Sequence, residues 1–201
     1  MPQKLPQLGS DGQILEGIVT TYNENGTVNI SPMGPIVDEP ITKFVFRPYR
    51  TSTTYQNLKR TGKGVFHVTD DVELFAQAAL GSPAPLPLLD GLILTDACRW
   101  YDFKVESLDD SQERAQIVAT THDSGHNRDF LGFNRAKHAV LEAAILATRI
   151  GILPAAEVQS EIKRLRIPVE KTGGAAEIRA FRFLQEYVDP RIASPKIEIS
   201  T

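Results

Sequence analysis

Residues 41–68 read ITKFVFRPYRTSTTYQNLKRTGKGVFHV and contain six Lys or Arg residues but no Asp or Glu. The first 133 residues together contain 17 acidic and 11 basic residues, so an acidic region keeps one segment without negative charge. An alternating apolar run at 44–46 comes first, and then Arg47, Arg50 and the hydroxyl-rich run 51–55. This composition predicts a strand followed by an anion site at the start of a short helix.

The residue types in this segment are those that bind a phosphate group. Arg47 and Arg50 can form bidentate, charge-assisted hydrogen bonds, and the N–H groups at a helix start attract anions. The candidate phosphate ligands are Arg47, Arg50, Thr51, Ser52, Thr53 and Thr54, with Tyr49 beside them. The same hydroxyl groups can also serve only to cap a surface helix, with solvated bases around it. The segment alone leaves both interpretations open.

Composition and charge narrow the class of protein. At 201 residues and 22.2 kDa the chain has an ordinary globular composition, a formal net charge of −3 and a pI near 5.8. General nucleic-acid binding usually requires a basic domain, so nucleic acid is not expected as a partner. No apolar run approaches the roughly 20 residues that cross a bilayer. The first residues lack the apolar core of a signal peptide, so we expect a cytoplasmic protein without membrane association.

Cysteine and histidine offer little catalytic signal. The single cysteine, Cys98, excludes an intrachain disulfide, and its apolar surroundings predict a buried, inert thiol. His122 and His126 are separated by a helix-breaking Asp-Ser-Gly, so no metal site is predicted. His67 lies in an apolar strand and is interpreted as a core histidine. No general base stands out, and the catalytic residues are left unknown.

Hydrophobic periodicity predicts an α+β protein. Strand patterns occur at 14–22, 27–33, 42–46, 64–68, 93–107 and 113–121, and an Asn-Gly turn at 25–26 joins the first two. Six strands with little helix between them favour an antiparallel barrel, here a split β-barrel over residues 1–125. Helix patterns at 134–150, 154–166 and 175–188 predict a three-helix subdomain over 126–190, and residues 191–201 are interpreted as a tail.

The first of these C-terminal helices is apolar almost all round. Its polar residues Arg135, His138, Glu142 and Arg149 fall in one narrow stripe. A helix of this kind is largely buried, so its stripe faces either a strip of solvent or a polar site or subunit interface. The pattern does not distinguish the two.

A second short motif precedes the anion segment. Asn29, Ser31, Pro32 and Met33 lie near the end of a predicted strand, where proline interrupts backbone pairing at a sheet edge. Unpaired backbone groups there can form hydrogen bonds with the edge of a flat polar heterocycle. Together with the anion segment, the motif predicts a ligand with a planar ring at one end and a phosphate at the other.

This order of motifs resembles the FMN-binding split-barrel superfamily, which includes flavin reductases and pyridoxamine-phosphate oxidases. The matching residues are Asn29, Ser31, Pro32 and Gly34 on one strand and Ser52, Thr54 and Asn57 after the third. The chain is more closely similar to a small family of split-barrel flavoproteins of unknown function from archaea and some bacteria. That likeness extends over the YRTSTTYQNL segment and the helix NRAKHAVLEAAILATR at 134–149.

The resemblance implies an FMN-binding homodimer with the flavin near the subunit interface. It places Asn29, Ser31, Pro32 and Met33 along the flavin ring and the Arg/Thr/Ser cluster around its phosphate. The favoured activity is flavin-reductase-like electron transfer from a nicotinamide donor, on an unknown substrate. Two alternatives are a non-catalytic FMN-binding or storage module and a pterin-linked reductase in one-carbon metabolism.

Overall fold

The computed structural model describes residues 4–81, 83 and 86–193. The described residues form two compact units. The first unit comprises the described residues within Met1–Asp70 and Pro85–Phe130. The second comprises the described residues within Asp71–Ala84 and Leu131–Thr201. Each unit has its own core, and the predicted site residues all belong to the first.

The first unit is built on one antiparallel sheet. Its strands are β1 (Gln13–Ile14), β2 (Gly17–Tyr22), β3 (Val28–Met33), β4 (Ile36–Val37), β5 (Lys43–Phe46), β6 (Lys63–Val68), β7 (Arg99–Asp109) and β8 (Gln116–His126). Their order is β1-β4-β5-β8-β7-β6-β2-β3, which leaves β1 and β3 at the edges. The α+β prediction is confirmed. The predicted number of six strands is wrong for the described residues, because β1 and β4 contain two residues each and are too short to produce an alternating pattern.

Aromatic side chains fill the core of this unit. Phe44, Phe46, Phe66 and Phe103 are fully buried, and their ring centroids lie 4.9–5.6 Å apart in four pairs. The helix α1 (Thr53–Thr61) adds Tyr55 and Leu58 to the same cluster. Burying such large apolar side chains stabilises the unit by about 1.5–3 kcal/mol for each residue. The segment 41–68 therefore supplies a strand, a helix and a second strand to one core.

His67 is a fully buried core residue, as the sequence predicted. Its Nδ1 lies 3.1 Å from the carbonyl oxygen of Ile18, and its Nε2 accepts a hydrogen bond of 3.1 Å from the N–H of Leu94. A neutral ring protonated at Nδ1 satisfies both contacts, whereas a proton on Nε2 would face another N–H group. Burial lowers the pKa of His67 from 6.5 to about 4.

The second unit contains the helices α2 (Val72–Ala79), α3 (Arg135–Ala147), α4 (Ala155–Thr172) and α5 (Ala175–Ala193). Within it, α2 packs against α3 and α5. The helical unit thus has four helices among the described residues rather than the three predicted. It also differs from a simple division at residue 125, because α2 precedes β7 in the chain but packs with the C-terminal helices.

Two helices continue through proline. α4 runs past Pro168 to Thr172, although a helix ending at residue 166 was predicted, and α5 includes Pro190. Arg191 to Ala193 belong to α5, and the rest of the predicted tail lies outside the described residues. None of the helices described is long and apolar enough to cross a membrane.

The neutral state of His67 predicts a pH dependence of stability. Between pH 6.5 and about pH 4 the unfolded state binds a proton at this residue and the folded state does not, so acidification favours unfolding. We expect His67 to account for a loss of roughly 2–3 kcal/mol between pH 7.5 and pH 4.5. Urea unfolding of His67→Gln should show a pH dependence smaller by that amount. The exposed control His122→Gln should behave like the wild type. If the free energy of unfolding depends on pH identically in the wild type and in His67→Gln, the assignment is refuted.

Candidate functional site

The hydroxyl-rich run begins helix α1. Ser52 is its N-cap, with an Oγ that accepts a hydrogen bond of 3.2 Å from the N–H of Tyr55 and donates one of 2.8 Å to the carbonyl of Tyr49. The capping interpretation is therefore confirmed for Ser52. The N–H groups of Thr53 and Thr54 precede the first helical hydrogen bond, from Gln56 to the Ser52 carbonyl. These N–H groups and the exposed hydroxyls of Thr51 and Thr53 are suitable donors for an anion.

A hydrogen bond brings the two sequence motifs together. The Asn29 side chain on β3 donates from Nδ2 to Thr54 Oγ1 on α1 at 3.1 Å, across 25 residues of sequence. Thr54 is 1% exposed. The motif around Asn29 and the hydroxyl-rich run thus lie side by side in the first unit.

A buried polar network reinforces this contact. Asn57 on α1 is 4% exposed and donates from Nδ2 to Thr21 Oγ1 at 3.0 Å and to Asn23 Oδ1 at 2.9 Å. Asn29 lies opposite Thr21 in the β2–β3 ladder and contacts the same Thr21 oxygen at 3.4 Å. Because buried polar groups must find partners, these bonds fix α1 against the β2–β3 hairpin.

The other predicted ring-contacting residues lie on the edge strand β3. Ser31, Pro32 and Met33 pair with Val19, Ile18 and Gly17 of β2, and every residue of β3 is partly exposed. Pro32 does not end the strand, which continues to Met33. It is tolerated because β3 pairs on one side only, and proline without an N–H fits such an edge.

The segment without acidic residues has acidic neighbours in space. Asp110, from the loop between β7 and β8, accepts hydrogen bonds from Tyr55 at 2.6 Å and from Lys59 at 2.8 Å. Its bond to Lys59, with that to Tyr55, lowers the pKa of Asp110 to about 2, and Asp110 raises the pKa of Lys59. Lys59 is therefore already paired. In the part of the chain that the structure describes, Arg47 and Arg50 form no ion pair.

Strand register divides the predicted basic residues between two faces. The β5–β8 ladder continues from Phe46↔Ile117 to an isolated bridge between Tyr49 and Arg114 in unchanged register. Side chains alternate along such a ladder, so Arg47 and Tyr49 lie on the face opposite the buried Phe46. Arg50 comes next in the alternation and lies close enough to Asp110 to lower its pKa further. The structure thus groups Arg50 with α1 and groups Arg47 and Tyr49 with Arg114.

The remaining predicted groups belong to other parts of the chain. All four residues of the polar stripe are exposed: Arg135, His138, Glu142 and Arg149. Cys98 is buried, which raises the pKa of its thiol. No group of three or more His, Cys, Asp or Glu residues in the described part could hold a metal ion. A cavity of ≈ 960 Å³ lies in the helical unit between α2, the α3–α4 loop and the end of α5.

Sequence reasoning missed Thr21 and Arg114 and gave Asn57 no structural role. Thr21 gave no signal, because a threonine in a strand is ordinary. Asn57 was noticed only as part of a motif, although an Asn in the middle of a short helix is an unfavourable choice that a buried hydrogen bond explains. Arg114 is 64 positions from Arg50, and only strand pairing brings it near Tyr49.

The chain has an α+β fold similar to that of FMN-binding split barrels, with an antiparallel sheet edged by β1 and β3, a capped helix against the β2–β3 hairpin and a helical unit. The sequence matches two family domains over most of its length. Residues 15–128 match the protein of unknown function (DUF447) N-terminal domain, and residues 134–186 match protein of unknown function (DUF447). The chain belongs to the DUF447 family. No curated protein is significantly similar to it in sequence.

A solved structure supports the assignment of the fold. The crystal structure of an FMN-bound DUF447 protein from Methanosarcina mazei has a TM-score of 0.76 and 24% identity, and the match covers 87% of this chain and 94% of that one. The styrene monooxygenase flavin reductase of Pseudomonas putida has a TM-score of 0.47 and 15% identity over 59% of this chain and 82% of that one. A flavin reductase domain protein from Arthrobacter also has a TM-score of 0.47, with 17% identity over 58% of this chain and 80% of that one. The last two similarities are too low to carry an argument.

The buried network predicts a stability effect at Asn57. Replacing Asn57 with Ala removes the hydrogen bonds to Thr21 and Asn23, and we expect a loss of about 1–3 kcal/mol in the free energy of unfolding. Urea unfolding measures it. Thr53→Ala, at an exposed position of the same helix, should change stability by no more than about 0.5 kcal/mol. Equal stabilities of the two variants would contradict a structural role for the network.

Proposed function

We propose that the chain binds FMN between the start of helix α1 and the edge strand β3. The observation that carries this proposal is the Asn29–Thr54 hydrogen bond, which joins a site suited to a phosphate and a site suited to a ring edge. The FMN bound to the Methanosarcina protein of the same family supports the same ligand.

The donor set around α1 fits a phosphate group. The N–H groups of Thr53 and Thr54, the Thr51 and Thr53 hydroxyls and the Arg50 guanidinium all donate hydrogen bonds. The nearby Asp110 carboxylate is neutralised by Lys59 and bonded to Tyr55, so its repulsion of an anion is reduced. Ser52 acts indirectly, because its hydroxyl holds the helix start in place.

The ring would lie along β3, next to Ser31, Pro32 and Met33. An edge strand leaves backbone N–H and C=O groups available on its outer side, and these can bond the polar edge of a flavin. Bound FMN would supply hydride and electron transfer, while these residues would orient the ring and tune its hydrogen-bonding environment.

The open edge favours a flavoprotein oxidoreductase over a storage module. A carrier protein protects its flavin, whereas a reductase must let a donor and an acceptor reach the ring. The partly exposed residues of β3 suit the second case. A reduced nicotinamide is the donor class that we propose.

The phosphate assignment predicts that FMN binds more tightly than riboflavin. The double variant Arg50→Ala/Thr53→Val removes one charged and one hydroxyl donor and should weaken FMN binding by roughly 2–4 kcal/mol. Riboflavin affinity should hardly change, because riboflavin lacks the phosphate. Fluorescence titration measures both ligands, with the exposed Lys63→Ala as a control. Ser52 is avoided because its substitution would also remove the helix cap. Equal affinities of the wild type for FMN and riboflavin would contradict the phosphate assignment.

The redox proposal is tested with the FMN-loaded protein under anaerobic conditions. Addition of NADH or NADPH should bleach the flavin absorbance within the time of a catalytic assay. Dithionite provides the fully reduced reference spectrum. Bound flavin that dithionite reduces but neither nicotinamide reduces would favour the storage alternative.

We also propose a homodimer with the flavin near the subunit interface. In the helical unit, Leu131 is 85% exposed and Phe133 is 93% exposed, and the Phe133 ring stacks on the exposed His138 with centroids 5.9 Å apart. Large apolar side chains so fully exposed next to one another are characteristic of surfaces that another protein covers.

Light scattering of the wild type should give twice the mass of one chain at micromolar concentration. Leu131→Ser/Phe133→Ser should shift the mass toward the monomer, because it removes apolar surface that the interface buries. Ile167→Ser, at a residue 51% exposed on α4, provides the control. A wild-type protein that is monomeric with its flavin bound would contradict the proposal.

A further inference from the structure

A second cluster of basic and aromatic side chains lies on the face of the sheet away from α1. It consists of Arg47, Tyr49 and Arg114, which share one face of the extended β5–β8 ladder. The Arg114 guanidinium carbon lies 4.3 Å from the centroid of the Tyr49 ring. The buried Pro48 and Ala115 alternate with them and are joined by a hydrogen bond of 3.0 Å from the Ala115 N–H to the Pro48 carbonyl.

The geometry of Arg114 leaves its donors available. Its guanidinium lies over the Tyr49 ring, and in the described part of the chain its N–H groups make no hydrogen bond to another residue. Tyr49 is 45% exposed, so part of the ring surface is also open. In the described part of the chain, neither Arg114 nor Arg47 is in an ion pair with a carboxylate, unlike Lys59.

Charge and shape together define the class of ligand. Two guanidinium groups on the same face as one aromatic ring suit a ligand with a compact double negative charge and a flat ring. A phosphomonoester accepts bidentate bonds from arginine, and a base can stack on tyrosine or on a stacked guanidinium. We propose that Arg47, Tyr49 and Arg114 form a second site, separate from the FMN site, for a nucleotide that carries a phosphomonoester.

This inference does not require FMN to bind at α1. The site would hold either a free mononucleotide or the phosphorylated end of a dinucleotide, since both present the same chemistry. If the chain is a reductase, a phosphomonoester site on this face would select between electron donors that differ only by that group.

Calorimetric titration of the full-length protein tests the proposal, with excess FMN present to occupy the first site. Adenosine 5′-monophosphate should bind at least about tenfold more tightly than adenosine, since loss of the phosphate removes charge-assisted bonds. Raising the salt concentration should weaken the binding. NADP⁺ and NAD⁺ distinguish a free mononucleotide from a dinucleotide as the ligand. A protein that binds NADP⁺ but not adenosine 5′-monophosphate takes a dinucleotide. Equal affinities for NADP⁺ and NAD⁺, with no preference for the monophosphate over adenosine, would overturn the proposal.

Variants separate this site from the FMN site. Arg114→Ala and Arg47→Ala should each lower nucleotide affinity about tenfold and leave FMN affinity within about twofold. Tyr49→Phe keeps the ring and should retain binding, whereas Tyr49→Leu should lose it. Arg99→Ala, an exposed arginine at the start of β7, is the matched control. If Arg114→Ala weakens FMN and not the nucleotide, the two clusters are one site and the inference is wrong. If FMN fails to bind at all while the nucleotide result holds, only the proposed function fails.

Discussion

The hydrogen bonds that Asn29 and Asn57 make with Thr54 and Thr21 hold the candidate site together. Both asparagines donate to the Thr21 hydroxyl oxygen, and each also donates to one further acceptor, Thr54 for Asn29 and Asn23 for Asn57. Thr21, Thr54 and Asn57 are buried, so leaving any of them without a partner would cost about 1–3 kcal/mol. Helix α1 therefore has one favourable register on the β2–β3 hairpin, and its N-terminus lies beside the edge strand.

The fixed position of α1 on the β2–β3 hairpin suits this fold to its proposed ligand. A helix start alone attracts anions weakly and without selectivity, and an edge strand alone binds any extended polar group. Fixed side by side, they suit a ligand with a charged end and a planar end, as FMN has. The aromatic core beneath them, with Phe44, Phe46, Phe66 and Phe103, supports the strand and the helix from the same side. Precise placement of ligand-binding groups needs such rigid support.

Local features were predictable from the sequence, and features set by distant contacts were not. The alternating runs located all six longer strands, and the apolar surroundings of His67 correctly indicated a core histidine. Strands β1 and β4 were missed because two residues carry no periodicity. α2 was grouped with the barrel because its partners α3 and α5 lie more than 50 residues away. The pairing of Lys59 with Asp110 and the contact of Arg114 with the Tyr49 ring depend on the β7–β8 loop, which no local pattern links to residues 41–68. Those two contacts changed the site most, since one pairs a basic residue of the segment 41–68 with a carboxylate and the other defines a separate basic cluster.

A crystal structure of the protein with FMN tests the central claim most directly. The account predicts the phosphate within hydrogen-bonding distance of the Thr53 and Thr54 N–H groups and the Arg50 guanidinium. It also predicts the flavin ring along Ser31 to Met33, with the Asn29–Thr54 contact retained. A flavin phosphate on Arg47 and Arg114, or a flavin bound away from β3, would contradict it.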